Sequence, residues 1–266
     1  MNLFLPKITV ITVVLNGKNK IINTIKSILN QTYNNVEYII IDGASTDGTI
    51  ELINEYHDEI DYFITEKDKG IYDAMNKGAL LASGDFINFM NSGDSFSDNT
   101  IIEEVVNSLI DSTDLIYGNS NSEYPNGKFL FVTSHSIEGI WKPFFNHQTL
   151  FIKKQLLITY PFKVKYKPAS DFLLVMECHY SNMGYNFQKI NKTICNTMVG
   201  GDSNRNELYV LYLYFIIMLK HDQDPKKIFY YLIKSIWIGI TVAMKYILPS
   251  NAYYRLQYTF RKYVDS

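Results

Sequence analysis

The segment Asn88–Asp94, with the sequence NFMNSGD, places two amides and one carboxylate at the end of an apolar run. Many enzymes that handle nucleotide diphosphates carry two or three acids in such a loop, where the acids hold a metal. Asn91 and Gly93 stand where acids would be expected, and Asp94 keeps the third position. The segment is therefore a variant metal loop, a degraded one or a polar turn.

Two other clusters contain polar residues whose types and spacing are suited to nucleotide binding. Asp42 ends an apolar run and opens the sequence DGASTDGT, where a carboxylate accepts a hydrogen bond from a base or a ribose and glycines allow close approach. The segment Glu66–Gly78 places lysines at a helix start, and helix N-termini bind phosphates. The alternatives are a strand–turn–helix connector and a solvated charged loop.

Apolar runs of strand length alternate with helical patterns in the first ninety residues. The predicted strands are Ile8–Leu15, Val36–Asp42, Asp61–Glu66 and Asp85–Met90. This alternation indicates βαβ units and a largely parallel sheet, whose ligands bind beyond the carboxyl ends of the strands. The polar clusters fall at those ends, which favours a single site.

The chain is less regular after residue 114. Short strands are predicted in DLIYGN, KFLFVT and HQTLFIK, a helix in SDFLLVMECHYSNMG, and a closing hairpin from YNFQKIN and KTICNTMV. Long apolar stretches follow Gly201. We predict an α/β domain over residues 1–203 and a helical extension over residues 204–266.

Composition excludes several classes of protein. The 266 residues carry a net charge of -2, which argues against a nucleic-acid-binding surface. Cys178 and Cys195 fit no zinc or redox motif and are expected to be reduced thiols. The N-terminal sequence has no signal-peptide pattern, so we expect a cytoplasmic protein.

Five segments in register resemble one family. VITVVLNGKNKI, IIIDGASTDGT, DKGIYDAMNKG, FINFMNSGD and NHQTLF are similar, in order and spacing, to family 2 glycosyltransferases of bacterial exopolysaccharide, capsule or O-antigen synthesis. The resemblance covers about residues 7–200. It implies the GT-A fold, with a Rossmann-like, mostly parallel central sheet flanked by helices, to which we add the C-terminal helical extension.

The resemblance also implies donor contacts. Asp42 matches the acid that contacts the nucleotide base, and Asn16 lies at a strand end that contacts the nucleotide. The family's usual Pro-Thr-Tyr before this Asn is Val13-Val14-Leu15 here, so no aromatic partner for the base is supplied. Further donor contacts are expected from a set of polar residues: Asp68, Lys69, Asn76 and Asn91.

For catalysis the resemblance implies Mn²⁺ or Mg²⁺ and a base. Asp94 is the expected metal ligand, and His147 adds either a nitrogen ligand or a phosphate contact. Asp171, at a predicted helix start, is the expected base for inverting transfer, with Glu177 as the next candidate. The alternative for Asp171 is a helix cap.

The predicted function is transfer of a hexosyl or N-acetylhexosaminyl group, from a UDP-sugar by resemblance, to a saccharide or polyprenyl-linked acceptor in surface polysaccharide synthesis. The alternative is a non-catalytic binding or scaffold subunit of a polysaccharide assembly complex. The apolar stretch Ile228–Leu248 suits helices on the inner face of the plasma membrane. A homodimer interface, a layer on the catalytic domain and a membrane span are the other interpretations.

Overall fold

The computed structural model describes residues 5–123, 129–135, 145–198 and 207–221, with scattered positions between 224 and 240. In the first half, strands alternate with helices, as the sequence predicts. The elements are β1 (Ile8–Val14), α1 (Ile21–Leu29), β2 (Val36–Asp42), α2 (Thr49–Asn54), β3 (Tyr62–Thr65), α3 (Ile71–Leu81) and β4 (Phe86–Phe89).

The second half completes the sheet and adds helices. Its elements are β5 (Ser95–Phe96), α4 (Ile101–Ser108), β6 (Leu115–Glu123), β7 (Phe129–Val132), β8 (Phe151–Lys153), α5 (Lys154–Thr159), α6 (Ser170–His179), β9 (Phe187–Met198) and α7 (Glu207–His221). A 3-10 turn, His147–Thr149, directly precedes β8.

One sheet joins the described strands in the order β3-β2-β1-β4-β8-β6-β9-β5, with β7 paired to β6. The strands β3, β2, β1 and β4 are mutually parallel, and β6 pairs with β9 in parallel, while β8 and β5 run antiparallel to their neighbours. The loops after β1, β2 and β4 therefore meet at one edge. The predicted α/β class with a mostly parallel sheet is confirmed.

Helices cover both faces of this sheet because its central strands are apolar on both sides. Along β1, Val10 belongs to the core shared with α1, α2 and α4, whereas Ile11 and Val13 belong to the core shared with α3, α5, α6 and α7. These strand residues are at most 5% exposed. The sheet is thus a rigid platform for the loops at its carboxyl edge.

Two features of the second half differ from the sequence prediction. The predicted closing hairpin is wrong, because the residues of these two segments from Phe187 to Met198 form one continuous strand, β9, that pairs with β6 across two register shifts. The irregularity lies inside the strand pair, where a hairpin would have needed a turn. The short helices α4 and α5 were not predicted.

The helix α7 opens the predicted C-terminal extension and packs on the core of the α/β domain. Leu213, Ile217 and Met218 belong to the core cluster that contains Phe172 of α6. The rings of Phe172 and Tyr214 lie 4.7 Å apart, edge to face. Most of Ile228–Leu248, for which several surface roles were predicted, lies outside the described residues.

None of the helices in the described part of the chain is long and apolar enough to cross a membrane. Cys178 and Cys195 are free thiols and are both buried. Burial raises the pKa of the Cys178 thiol to about 12.

Candidate active site

The loops after β1 and β2 are fastened together by hydrogen bonds. The Asn16 N–H donates to Ser45 Oγ (2.7 Å), and the Thr46 N–H donates back to Asn16 Oδ1 (2.9 Å). Asn16 adopts a positive φ of 52°, which asparagine tolerates better than most residues. The structure thus gives Asn16 a structural role at the place where a nucleotide contact was predicted.

Asp42 is fully buried at the end of β2, and only one of its oxygens is used. Its Oδ2 accepts hydrogen bonds from the Ser45 N–H (2.9 Å) and the Thr65 hydroxyl (2.7 Å). Within the described residues its Oδ1 has no hydrogen-bond partner. A buried carboxylate oxygen without a donor is costly, and a ligand N–H would satisfy it.

Asp68 and Lys69 directly precede α3, and Asp68 approaches Gly43, the residue after Asp42. A Cβ on Gly43 would lie 2.6 Å from Asp68 Oδ2, so the glycine allows this second carboxylate to approach. The Lys69 N–H donates to Asp73 Oδ2 (3.0 Å), while the residue itself is exposed. Both side chains are accessible to solvent, so a bound donor could reach them, as predicted.

Asn76 lies further along α3 and uses its side chain to hold the backbone. Its Nδ2 donates to the Phe162 carbonyl (2.8 Å), and its Oδ1 accepts from the Phe162 N–H (2.9 Å). Both ends of the amide are therefore engaged in joining α3 to the segment before α6. The predicted donor contact of Asn76 would have to compete with this pair of bonds.

The loop after β4 adjoins the loop after β1. A Cβ on Gly17 would lie 2.6 Å from Ser92 Oγ, which shows how closely the two loops pack. Gly93 has a φ of 103°, a conformation that an aspartate adopts only at a cost. Its N–H donates to Thr24 Oγ1 (3.0 Å). The backbone therefore explains why one of the expected acids is replaced by glycine.

Asp94 is buried behind this glycine. Its Oδ2 accepts from Gln148 Nε2 (2.7 Å), and its Oδ1 lies 3.4 Å from the Met198 N–H. Burial raises the pKa of Asp94, while the hydrogen bond from Gln148 opposes that shift. An ionised carboxylate in these surroundings would be stabilised by a nearby cation.

The 3-10 turn His147–Thr149 faces the loop after β4 and is held in place by β4 itself. Asn88 Nδ2 donates to the backbone carbonyls of Gln148 and Leu150, both at 2.9 Å. Two consecutive side chains of the turn then reach the site, since His147 contacts Asn91 and Gln148 contacts Asp94. The predicted site residue His147 is thus on a fixed support.

The imidazole of His147 bridges two predicted site residues. Its Nε2 lies 2.8 Å from Asn91 Nδ2, and its Nδ1 lies 3.4 Å from Asp171 Oδ2. The buried Oδ1 of Asn91 has no hydrogen-bond partner among the described residues. Both ring nitrogens are engaged in this conformation, so the predicted metal-ligand role of His147 would require one of these contacts to break.

Asp171, in the first turn of α6, is held by a second group that the sequence analysis missed. The Tyr72 hydroxyl lies 3.0 Å from Asp171 Oδ1 and 2.9 Å from the Pro168 carbonyl, so it can donate to either. Burial raises the pKa of Tyr72 well above its usual value, which keeps the hydroxyl a donor. Glu177, the other candidate base, is paired with Lys163.

The structure therefore gathers the predicted carboxylates Asp42, Asp94 and Asp171 at one edge of the sheet. Tyr72 could not be found from sequence, since ninety-nine residues separate it from Asp171. Gln148 could have been found, because it directly follows His147 in NHQ. Within the described residues no group of three or more His, Cys, Asp or Glu side chains could hold a metal by itself.

Curated relatives from mycobacteria share part of this sequence. An uncharacterized glycosyltransferase of Mycobacterium tuberculosis is 36% identical over 105 residues, which are 39% of this chain and 40% of the relative. A PGL/p-HBAD biosynthesis glycosyltransferase of Mycobacterium bovis is 27% identical over 184 residues, covering 66% of this chain and 71% of the relative. The chain thus spans about two fifths of the first curated relatives that it matches.

Solved structures share the fold. TarS 1-349 of S. aureus in complex with UDP-GlcNAc has a TM-score of 0.64 at 17% identity, over 86% of this chain and 71% of that chain. The mannosyltransferase PcManGT of Pyrobaculum calidifontis, in complex with GDP-Man and Mn²⁺, has a TM-score of 0.66 at 17% identity, over 97% and 80%. These likenesses confirm the predicted GT-A fold.

The family assignment rests on a match that covers more than half of the chain. The sequence model of glycosyl transferase family 2 matches residues 9–192, which include every predicted site residue from Asn16 to Asp171. The chain therefore belongs to glycosyl transferase family 2.

Proposed function

We propose that this chain is an inverting glycosyltransferase that moves a sugar from a nucleoside-diphosphate sugar to a hydroxyl of a saccharide or lipid-linked saccharide. The observation that carries the proposal is the convergence of Asp42, Asp94 and Asp171 at one sheet edge, each in different surroundings. Family membership makes this arrangement an expected donor and acceptor site.

The proposed reaction needs a base and a leaving group. Asp171 accepts the proton of the acceptor hydroxyl while that oxygen bonds to the anomeric carbon. The bond from the anomeric carbon to the diphosphate oxygen breaks at the same time, and the nucleoside diphosphate leaves with the electron pair. Attack from the face opposite the leaving group inverts the anomeric configuration, and no covalent intermediate with the protein is required.

The residues present fit a divalent cation that arrives with the diphosphate. The buried Asn91 Oδ1 lacks a partner among the described residues, and the buried carboxylate of Asp94 lies in the same loop. These two oxygens would hold the ion, and Mg²⁺ sites commonly combine few protein ligands with substrate phosphates and water. When bound, the cation stabilises the negative charge on the leaving diphosphate.

A uridine nucleotide suits the environment of Asp42. One oxygen of this carboxylate is already used, and the other has no partner in the described part of the chain. A single acceptor oxygen matches the single ring N–H that uracil and thymine share, whereas guanine presents two adjacent donors. Because the family resemblance favours UDP, UDP-hexoses and UDP-N-acetylhexosamines are the donors we propose.

A donor screen tests the proposal. The full chain is incubated with Mg²⁺ or Mn²⁺ and a panel of UDP-, GDP- and dTDP-sugars, and thermal stabilisation and nucleotide release are measured. We expect stabilisation by uridine nucleotides, and an Asp94→Ala variant should lose about 10²-fold or more in turnover. Binding of every donor without turnover, together with near-normal properties of Asp94→Ala, would favour the scaffold interpretation.

We also propose that the C-terminal region binds an anionic membrane surface on the cytoplasmic side, close to a polyprenyl-linked acceptor. Helical residues at a spacing of three, four and seven are exposed in this region, namely Phe229, Leu232, Ile233, Ile236 and Ile240. Residues 225–264 contain no Asp or Glu and seven basic residues: Lys226, Lys227, Lys234, Lys245, Arg255, Arg261 and Lys262. An apolar stripe with basic flanks is typical of interfacial helices.

Vesicle sedimentation tests this second part. The full chain should sediment with vesicles that contain phosphatidylglycerol and remain in solution with pure phosphatidylcholine. Ile236→Glu places a charge in the stripe and should weaken sedimentation, whereas Glu55→Gln on the exposed side of the catalytic domain serves as a control. Equal sedimentation of Ile236→Glu and the parent would contradict the membrane role and favour a homodimer interface.

A further inference from the structure

The contacts of His147 form a continuous path from the metal loop to the proposed base. Asn91, His147 and Asp171 come from three separate parts of the chain, and the imidazole lies between the other two. The side chains of His147 and Asp171 are 20% and 19% exposed, so water has limited access to the path. Through these contacts, the position of Asn91 on the donor side of the site can influence the position of Asp171 on the acceptor side.

Hydrogen-bond chemistry fixes the orientation of each member of the path. A carboxylate only accepts, so the Nδ1 of His147 must carry the proton that faces Asp171. In the neutral imidazole the Nε2 is then an acceptor and requires a donor. The amide of Asn91 supplies one through Nδ2, which lies 2.8 Å away. Its oxygen is thereby turned away from the ring and left without a partner among the described residues.

An aspartate at position 91 would change the protonation of the ring. It would accept from Nε2 and not donate to it, so a neutral ring would carry its proton on Nε2, and the unprotonated Nδ1 would oppose the carboxylate of Asp171. A ring protonated on both nitrogens would donate to both carboxylates, but it would place a positive charge beside the proposed cation. The amide at position 91 is thus the residue type that keeps a neutral ring oriented toward Asp171.

We propose that His147 is a positioning residue for Asp171, and that position 91 carries an amide because His147 needs a donor there. The inference rests on the proposed function of Asp171 as the base. Through the same ring, the Asn91 oxygen is presented to the diphosphate and its cation. The 3.4 Å separation of His147 Nδ1 and Asp171 Oδ2 is an ion-pair distance in this conformation, and the proposal requires it to shorten to a hydrogen bond when substrates bind.

Two substitutions of His147 distinguish a positioning role toward Asp171 from a role that depends only on side-chain volume. In His147→Asn the side-chain amide can occupy the place of Nδ1 and donate to Asp171, whereas in His147→Gln the amide reaches the place of Nε2. We expect His147→Gln to lower kcat by about 10–100-fold, with little change in the KM of the donor. His147→Asn should retain clearly more activity than His147→Gln.

Asn91→Asp gives a sharper test, because it restores an acid to the metal loop. If acid count limited the site, this variant would be more active than the parent. We expect its kcat to fall about 10-fold or more, the scale typical of groups that orient a catalytic residue. His57→Asn, at an exposed histidine on a turn outside the site, is the control and should leave kcat unchanged.

Nitrogen-15 NMR of the imidazole tests the geometry without activity. The His147 signal, identified by its loss in His147→Asn, should report a proton on Nδ1 in the parent and a different state in Asn91→Asp. A parent ring protonated on Nε2 alone, or equal kcat in His147→Asn and His147→Gln, overturns the proposal. If the parent turns over no donor in the screen, the proposed function fails, and the NMR result still decides whether His147 is oriented as inferred.

Discussion

At the scale of single residues, the buried carboxylates of the site differ in the number of hydrogen-bond donors that stabilise them. Asp42 is stabilised by two donors on one oxygen, whereas Asp94 is buried with one good donor from Gln148. Burial raises the pKa of Asp94, so the folded chain binds its proton more tightly than the unfolded chain does. Stability and function therefore oppose each other at this position.

The first prediction follows from the sign of this shift. A raised pKa contributes stability below the unfolded pKa of about 3.9, and that contribution is lost as pH rises through the folded pKa. The unfolding free energy of the parent should thus fall relative to Asp94→Asn between acidic and neutral pH, measured by urea unfolding without divalent ions.

The control for this measurement is the exposed Asp111. Asp111→Asn removes an exposed carboxylate outside the site, and the Asp94→Asn difference is compared with it over the same pH range. Addition of Mg²⁺ with UDP should then stabilise the parent more than Asp94→Asn, because only the parent offers a carboxylate to the cation. A difference for Asp94→Asn that is independent of pH would contradict the role of burial.

A second prediction concerns the Tyr72 hydroxyl, which faces the proposed base Asp171. Tyr72→Phe removes one donor from Asp171 and leaves the ring packed against Phe162, whose centroid lies 5.3 Å away. We expect a loss of about 1 kcal/mol in stability and a lower kcat with little change in the KM of the donor. Because burial raises the Tyr72 pKa, parent activity should show no loss near pH 10 from ionisation of this residue.

Phe162→Leu provides the comparison for Tyr72→Phe. It changes the apolar contact of the same ring without removing the hydroxyl, so it should alter stability more than it alters kcat. If Tyr72→Phe behaves in the same way as Phe162→Leu, the hydroxyl is a packing partner only.

At the scale of elements, the sequence was most informative where local pattern and tertiary structure agree. The β-branched run in β1 and the helical spacing in α1 each predict one element, and the core surrounds both. β9 differs because its pairing with β6 includes register shifts at Gly118 and its neighbours, which only the partner strand reveals. A strand with an internal irregularity therefore looks like two strands and a turn.

The same limit applied to the site. Asp42, Asp94 and Asp171 each follow a recognisable pattern at the end or start of an element, and they were predicted. The contacts that define their roles, from Tyr72, Gln148 and the ring of His147, come from residues distant in sequence. The order of the strands in the sheet decides which side chains face each other, and no single segment of the sequence predicts that order.

A third prediction belongs to the loop after β4. Gly93→Ala should destabilise the fold by about 1–2 kcal/mol, because a residue with a Cβ is strained at a φ of 103°. It should also lower turnover, since the backbone there carries Asn91 and Asp94 into the site. Urea unfolding and the donor assay measure the two effects.

Gly184→Ala is the matched control for the loop. Gly184 also has a positive φ, of 65°, and a Cβ there would meet nothing within 4 Å. It should cost stability through the backbone in the same way but leave kcat unchanged, because it lies far from the described site residues. Equal losses of turnover in both variants would mean that Gly93 acts through global stability alone.

At the scale of the whole molecule, α7 joins the boundary region to the catalytic core. The predicted domain border at residue 203 precedes this helix, yet its inner face shares a core cluster with α6, which carries Asp171. The position of the proposed base thus depends on a helix that the family resemblance over residues 7–200 does not cover. We propose that α7 is part of the catalytic unit and that the surface-binding extension begins after it.

The last prediction tests this assignment. Ile217 is 1% exposed within the core, so Ile217→Ala should destabilise the catalytic domain by about 2–5 kcal/mol. Tyr212, on the same helix but 56% exposed, is the matched control, and Tyr212→Ala should change stability by less than about 0.5 kcal/mol. Because α6 packs on α7, the Ile217 variant should also bind UDP with Mg²⁺ normally while turning over more slowly. If Ile217→Ala unfolds at the same urea concentration as the parent, α7 is an independent appendage, and the border belongs at residue 203.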